Sequence, residues 1–128
     1  MQRLTPETAS ALLERHWRCY DGLIQRAELT YPDSLLQLML VLEVQDREAA
    51  SGWCSLALKL EGVSLLRVQE EPGTNVVLSH GIALLFSGPL VYLDLSPVAE
   101  APYTLADFAQ SSFAVQAQTA WFEVQSLE

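Results

Sequence analysis

Residues 22–45 read GLIQRAELTYPDSLLQLMLVLEVQ, and a period of two runs through them twice. In the first half Leu23, Gln25, Ala27, Leu29 and Tyr31 alternate with Ile24, Arg26, Glu28 and Thr30, the pattern of a half-buried strand. Pro32-Asp33-Ser34 then supplies turn chemistry: proline presets its own φ, and the two short polar side chains can bond the turn backbone. In the second half Leu36, Leu38, Leu40, Leu42 and Val44 fall on one face. Two such strands across a short turn make an antiparallel hairpin, so the chain is built around an antiparallel sheet. The other face of the second strand carries Leu35, Gln37, Met39, Val41, Glu43 and Gln45, and its apolar middle needs a cover. An N-terminal helix is the economical one; a second sheet or a second subunit are the alternatives.

That helix is readable upstream. Thr5 can cap, Pro6 suits the first helical position, and Glu7 complements the positive end of the dipole. Ala9, Leu12, Leu13, His16, Trp17 and Tyr20 recur at helical spacing, with Glu14 and Arg18 as an i,i+4 pair on the opposite side. Asp21-Gly22 is the expected stop.

Downstream, 45–52 is a polar loop holding Asp46, Arg47 and Glu48. Residues 53–60 read as a strand with Cys54, Leu56, Leu58 and Leu60 on the core face, and Glu61-Gly62 as either a tight turn or a bulge. Residues 63–69 and 90–95 are extended, Glu70-Glu71-Pro72-Gly73 is a turn, and 76–86 stays open between strand and helix. Thr104 to Asp107 resembles a capping box, so a helical turn is expected there. Residues 113–124 are a terminal strand or pair. The expected fold is α+β, in one domain over 1–128. An N-terminal helix packs on a mostly antiparallel sheet of about six or seven strands, with a sandwich-like arrangement as the alternative that covers both sheet faces internally.

The 128 residues carry seven basic and 16 acidic side chains, a formal charge of −9. Lys59 is the one lysine, and no arginine or lysine follows Arg67, so the phosphate-neutralising cluster of a nucleic-acid binder is missing and no nucleic acid is expected. An anionic membrane surface is disfavoured for the same reason. The N-terminus has no apolar run, and the apolar stretches 35–44 and 82–95 are short or interrupted, so neither signal peptide nor membrane span is expected. A cytoplasmic location with reduced Cys19 and Cys54 follows as the expectation. The shortage of Lys, Asn and Ile against Leu, Ala, Val and Arg looks like the codon bias of a GC-rich bacterial genome.

Catalytic and ligating patterns are sparse. His16, Cys19, Cys54 and His80 form a formal two-Cys, two-His set, but zinc sites show close pairs in both halves, and Cys54 and His80 are not close. His16 lies within the helix stripe and is expected to pack inside. An activated thiolate needs electropositive surroundings, which an acidic chain does not favour. The isolated glycines cradle no phosphate. No catalytic residue, cofactor or metal is therefore assigned. The acids Asp21, Asp46, Glu48, Glu70 and Glu71 are the expected interaction surface, facing a basic protein partner. Charge is also thin: 74–127 holds only Asp94, Glu100, Asp107 and Glu123. Leu84, Phe86, Val91, Leu93, Phe113, Val115 and Phe122 are thus expected to include a surface seeking cover, most simply in a homodimer.

Tyr20-Asp21-Gly22-Leu23-Ile24, then Leu56-x-Leu58-x-Leu60-x-Gly62-Val63, then Trp121-x-Glu123 together resemble small bacterial α+β proteins, some of them immunity-protein-like. The resemblance implies a non-enzymatic inhibitor of a toxin and offers Asp21 alone as a shared functional position. Two other classes stand beside it. One is an enzyme or small-ligand binder with a pocket between helix and sheet, for which a histidine beside a carboxylate in that pocket would speak. The other is a structural homo-oligomer subunit.

Overall fold

Ten strands carry the fold, counted over residues 1–70, 76–98 and 102–127, which the computed structural model describes. In chain order they are β1 (Gln2–Arg3), then β2 (Gly22–Thr30), β3 (Gln37–Gln45) and β4 (Trp53–Glu61) after the helix α1 (Pro6–Arg15). β5 (Leu65–Val68), β6 (Val77–Leu78), β7 (Ala83–Ser87) and β8 (Leu90–Asp94) follow. The short helix α2 (Leu105–Ala109) precedes β9 (Phe113–Ala117) and β10 (Thr119–Gln125). One sheet of six strands runs β1-β10-β4-β3-β2-β6, and one of four runs β5-β9-β8-β7, with antiparallel pairing throughout.

The mostly antiparallel sheet is as expected, but the count of about six or seven strands is corrected to ten in two sheets, and the class is mainly β. The reason lies at one corner. The chain leaves the larger sheet between β4 and β5, returns to its edge for β6, leaves again before β7 and re-enters it between β9 and β10, beside the point where it first left. At that corner the Gln118 amide donates to the Glu61 carbonyl (3.0 Å), and a Cβ on Gly62 would stand 2.7 Å from the Gln118 side chain. Hydrophobic alternation continues unbroken through such a switch, so period alone does not reveal it. The terminal segment is accordingly a pair of strands, but in different sheets. Residues 76–86 resolve into β6 and β7, with the turn at Ser79 and His80 between them. The turn expected at 70–73 lies, apart from Glu70, outside the described residues.

The hairpin of residues 22–45 forms with Ala27 opposite Leu40 and Leu29 opposite Leu38. Leu38, Leu40, Leu42 and Val44 of β3 are buried, as are Cys54, Leu56, Leu58 and Leu60 of β4. They join Val91, Leu93, Phe113 and Val115 of the smaller sheet in one core. Each fully buried aliphatic side chain contributes about 1.5–3 kcal/mol relative to exposure. The apolar set expected to seek cover is corrected by the same observation: Val91, Leu93, Phe113 and Val115 are core, and Leu84, Phe86 and Phe122 pack against it. The first half of the hairpin departs from the half-buried expectation. A register shift between Ile24 and Arg26 interrupts the pairing, and from Gln25 to Thr30 every residue is exposed.

α1 begins as its sequence dictates. The Thr8 amide donates to Thr5 Oγ1 (3.2 Å) while the Thr5 amide donates to Thr8 Oγ1 (2.7 Å), with Pro6 in the first turn. It ends five residues earlier than the stripe suggested. Trp17, Arg18 and Cys19 take φ of 47°, 54° and 61°, a left-handed turn of three consecutive L-residues, and Asp21 follows at 61°. Left-handed backbone costs about 1–2 kcal/mol per residue. The turn buries Cys19 completely and leaves Trp17 and Tyr20 exposed. Arg18 is therefore off the helix, and the expected Glu14–Arg18 pair has no helical register.

The helix also lies on the other side of the larger sheet from the one expected. Ala9 and Leu12 are buried in the shared core with Leu13 against it, and His16 meets the core-facing Cys54. On the outer face Met39, Lys59 and Trp121 stand in one cross-strand row and Val41, Ala57 and Glu123 in the next. Neighbours shield one another there instead, with the Lys59 ammonium 5.6 Å from the Trp121 ring centre. Among the described residues no helix is long and apolar enough to cross a membrane.

Candidate functional site

The densest set of chemically capable side chains gathers where α1 ends against the β3–β4 loop. Arg15, in the last turn of α1, donates from Nε to Asp46 Oδ1 (2.8 Å) and from Nη2 to Asp46 Oδ2 (3.0 Å), a two-pronged pair. Its Nε also lies 3.3 Å from Glu48 Oε2. The Glu48 amide donates to Asp46 Oδ1 (3.0 Å). Arg47 clasps the same helix end: its amide donates to the Arg15 carbonyl (3.2 Å) and its Nε to the Glu14 carbonyl (2.9 Å). Its guanidinium sits 3.8 Å from the Trp17 ring centre. A cation on the carbonyl end of a helix is favourably placed, and this clasp holds the strained turn that follows.

Behind the ion pair lie two buried groups. His16 Nδ1 is 2.8 Å from the Gln45 carbonyl oxygen. A carbonyl only accepts, so Nδ1 carries the proton and Nε2 is the acceptor nitrogen. That Nε2 is buried and has no hydrogen-bond partner among the described residues. Cys54 Sγ lies 3.8 Å from His16 Nδ1. Because Nδ1 already donates, the pair is not a thiol with its base.

Electrostatics point the same way. Burial, reinforced by the Asp46 carboxylate, pushes the Cys54 thiol up to about 12, and burial does the same to Cys19. Both stay protonated at neutral pH, so neither is an activated nucleophile. Burial lowers His16 and keeps it neutral. The Arg15 hydrogen bonds hold Asp46 down at about 2, and Asp46 in turn raises Arg15. His16, Asp46 and Cys54 offer ligand atoms within 4.8 Å of one another. A metal ion there would compete with Arg15 for Asp46 and stand beside the guanidinium charge. The donor set thus suits internal pairing better than cation binding.

The acids expected to form an interaction surface fall in several places. Asp46 is corrected: it is 2% exposed and committed to Arg15, so it belongs to the interior. Its position continues the inward series Leu38, Leu40, Leu42, Val44, and that parity was the available signal. Glu48 is exposed and meets Asp46 through Arg15. Asp21 is exposed at the turn into β2, where its amide donates to the Leu78 carbonyl (2.9 Å). Glu70 is exposed on the rim of an apolar groove, and Glu71 lies outside the described residues. His16 is inside, as expected, but its sulfur neighbour is Cys54, not the sequence-adjacent Cys19. His80 is exposed.

Two concavities bear on the alternatives raised by the sequence. A cleft of about 230 Å³ lies between α1 and β10, lined by Thr8, Ala11, Leu12, Arg15, His16, Glu48, Phe122 and Val124 among others. A groove of about 370 Å³ opens beside the hairpin, lined by Ile24, Ala27, Leu29, Leu38, Leu66, Val68, Glu70, Val76 and Phe113. In comparisons with protein families, curated proteins and solved structures, nothing matches the chain.

Proposed function

We propose that the chain is a non-enzymatic, acidic protein-binding module that works through the end of the β2–β3 hairpin. One observation carries this reading. Leu29, Tyr31 and Leu35 are 52%, 70% and 55% exposed at that end, although the chain buries its other leucine rows almost completely. Leu29 runs on into the apolar groove, whose rim holds Glu70. Clustered exposed apolar side chains with a polar rim mark interaction surfaces. Asp33 is exposed on the same hairpin and Glu70 lines the groove, while Glu28 is paired with Arg26; Asp33 and Glu70 favour a partner that is apolar at its centre and basic at its edge. An immunity-type inhibitor masking a basic toxin surface is one protein of this kind.

The test is affinity capture with the parent chain and a Leu29→Ser, Tyr31→Ser, Leu35→Ser variant, each checked for an unchanged melting temperature. A basic protein held by the parent and lost by the variant supports the reading. Capture profiles that do not differ overturn it. Light scattering on the same pair separates a foreign partner from a second copy: a parent dimer that the variant abolishes means that the hairpin end pairs with itself.

A second reading, a small-ligand site between helix and sheet, has its own observation. The helix–sheet cleft holds a neutral histidine with an unpartnered acceptor nitrogen in the same lining as the Glu48 carboxylate.

A further inference from the structure

We propose that the cleft between α1 and β10 binds a primary ammonium group carried on a short apolar stem. The inference rests on the small-ligand reading of that cleft and names the ligand class. Polarity of the hydrogen bonds comes first. The Gln45 carbonyl fixes the proton of His16 on Nδ1, so Nε2 offers a lone pair and seeks a donor. A buried acceptor without a partner is uncommon in folded proteins and marks a place where a donor is accommodated.

Charge comes second. Arg15 is met by both Asp46 and Glu48, which leaves one net negative charge around a neutral His16 and a protonated Cys54. A carboxylate or phosphate ligand would be repelled by the two acids that already outnumber Arg15, whereas an ammonium meets an attractive field. Glu48, with its side chain 68% exposed, is free to turn toward it.

Shape comes third. Ala11, Leu12, Phe122 and Val124 supply apolar walls, and the polar members of the lining are Gln2, Thr8, His16 and Glu48 beside the acid-paired Arg15. The volume, about 230 Å³, suits a chain of a few methylenes ending in a donor. A free alkylamine and the side chain of a lysine share that chemistry.

Titration of the folded chain with n-butylammonium, butyrate and n-butanol, followed by the nitrogen resonances of His16, is the experiment. Saturable movement of Nε2 with butylammonium is expected, with a Kd of about 1 mM for so small a ligand. Glu48→Gln should weaken it by roughly tenfold, as expected for loss of a charge-assisted hydrogen bond. A parallel titration with lysine blocked at both backbone ends separates the sources. Binding at least as tight as that of butylammonium assigns the site to a lysine side chain, and weaker binding assigns it to a free amine. Saturable binding of butyrate or butanol without butylammonium overturns the ammonium assignment while leaving a ligand cleft. No saturable response to any of the probes overturns both.

Discussion

Gly81 lies directly beneath the backbone of Arg18: a Cβ placed on it would stand 2.2 Å from the Arg18 carbonyl oxygen. The contact is functional for the fold, because the next amide, Ile82, donates to that same oxygen (2.8 Å) and pins the left-handed turn to the β6–β7 connection. Gly81→Ala therefore adds a clash with backbone to the strain of φ +69°, and should destabilise by roughly 3–5 kcal/mol. Gly88 is the control. It has φ +58° with nothing within 4 Å of a Cβ, so Gly88→Ala should cost only about 1 kcal/mol. Urea melts of the two variants check the ranking, and equal midpoints would mean that the turn yields to the added methyl.

The left-handed turn explains much of what sequence reasoning missed. The cap at Thr5, the capping box at Thr104 and the inward rows of β3 and β4 were legible because each is a local rule with a fixed spacing. Thr104 and Asp107 do exchange bonds as that pattern implies. Trp17, Arg18 and Cys19 carry no glycine to announce positive φ, so the stripe appeared to run on through Tyr20. The Arg15–Asp46 pair joins positions 31 apart in sequence, and only the parity of β3 hinted that Asp46 points inward. The sheet switch at Gly62 and Gln118 is a tertiary decision with no periodic signature.

Asp46 makes stability depend on acid in a defined direction. Its carboxyl is held down at about 2 in the folded chain, from an ordinary value of 3.8. The unfolded chain thus takes up the proton first. The contribution is complete above pH ~4 and is lost as pH falls toward ~2. Its size is roughly 1–2 kcal/mol, reduced by the partial exposure of Arg15. Asp46→Asn should be less stable than the parent at pH 7, with the gap closing as pH falls toward 2. A gap independent of pH would mean that the ion pair contributes nothing.

His16 adds a second, separate window. Burial lowers its folded value below the ordinary 6.5, so the unfolded chain again binds the proton first. Stability is full above about pH 6.5 and declines below it, since protonation would place a charge in a buried site. In His16→Gln the slope between pH 7 and 5 should disappear, while the loss below pH 4 from Asp46 persists. The parent protein, purified without chelators, should hold no stoichiometric zinc, because Arg15 is paired with both oxygens of the nearest carboxylate; zinc that is lost in a His16→Ala variant would overturn this.

Leu40 tests the register on which the core depends. It is fully buried at the middle of β3, paired with Ala27 on one side and Leu58 on the other. Leu40→Ala removes transfer energy and leaves a cavity between close-packed neighbours, so a loss of roughly 2–5 kcal/mol is expected. Glu48→Ala removes only an exposed carboxylate that shares Arg15 with Asp46, and should stay within about 0.5 kcal/mol. A slip of one residue in β3 would turn Met39 and Val41 inward and Leu40 outward. The cost of Met39→Ala then discriminates: it should be clearly below that of Leu40→Ala, since Met39 lies in the outer row with Lys59. Chemical denaturation of the three variants measures the order, and Met39→Ala as the most damaging would overturn the register.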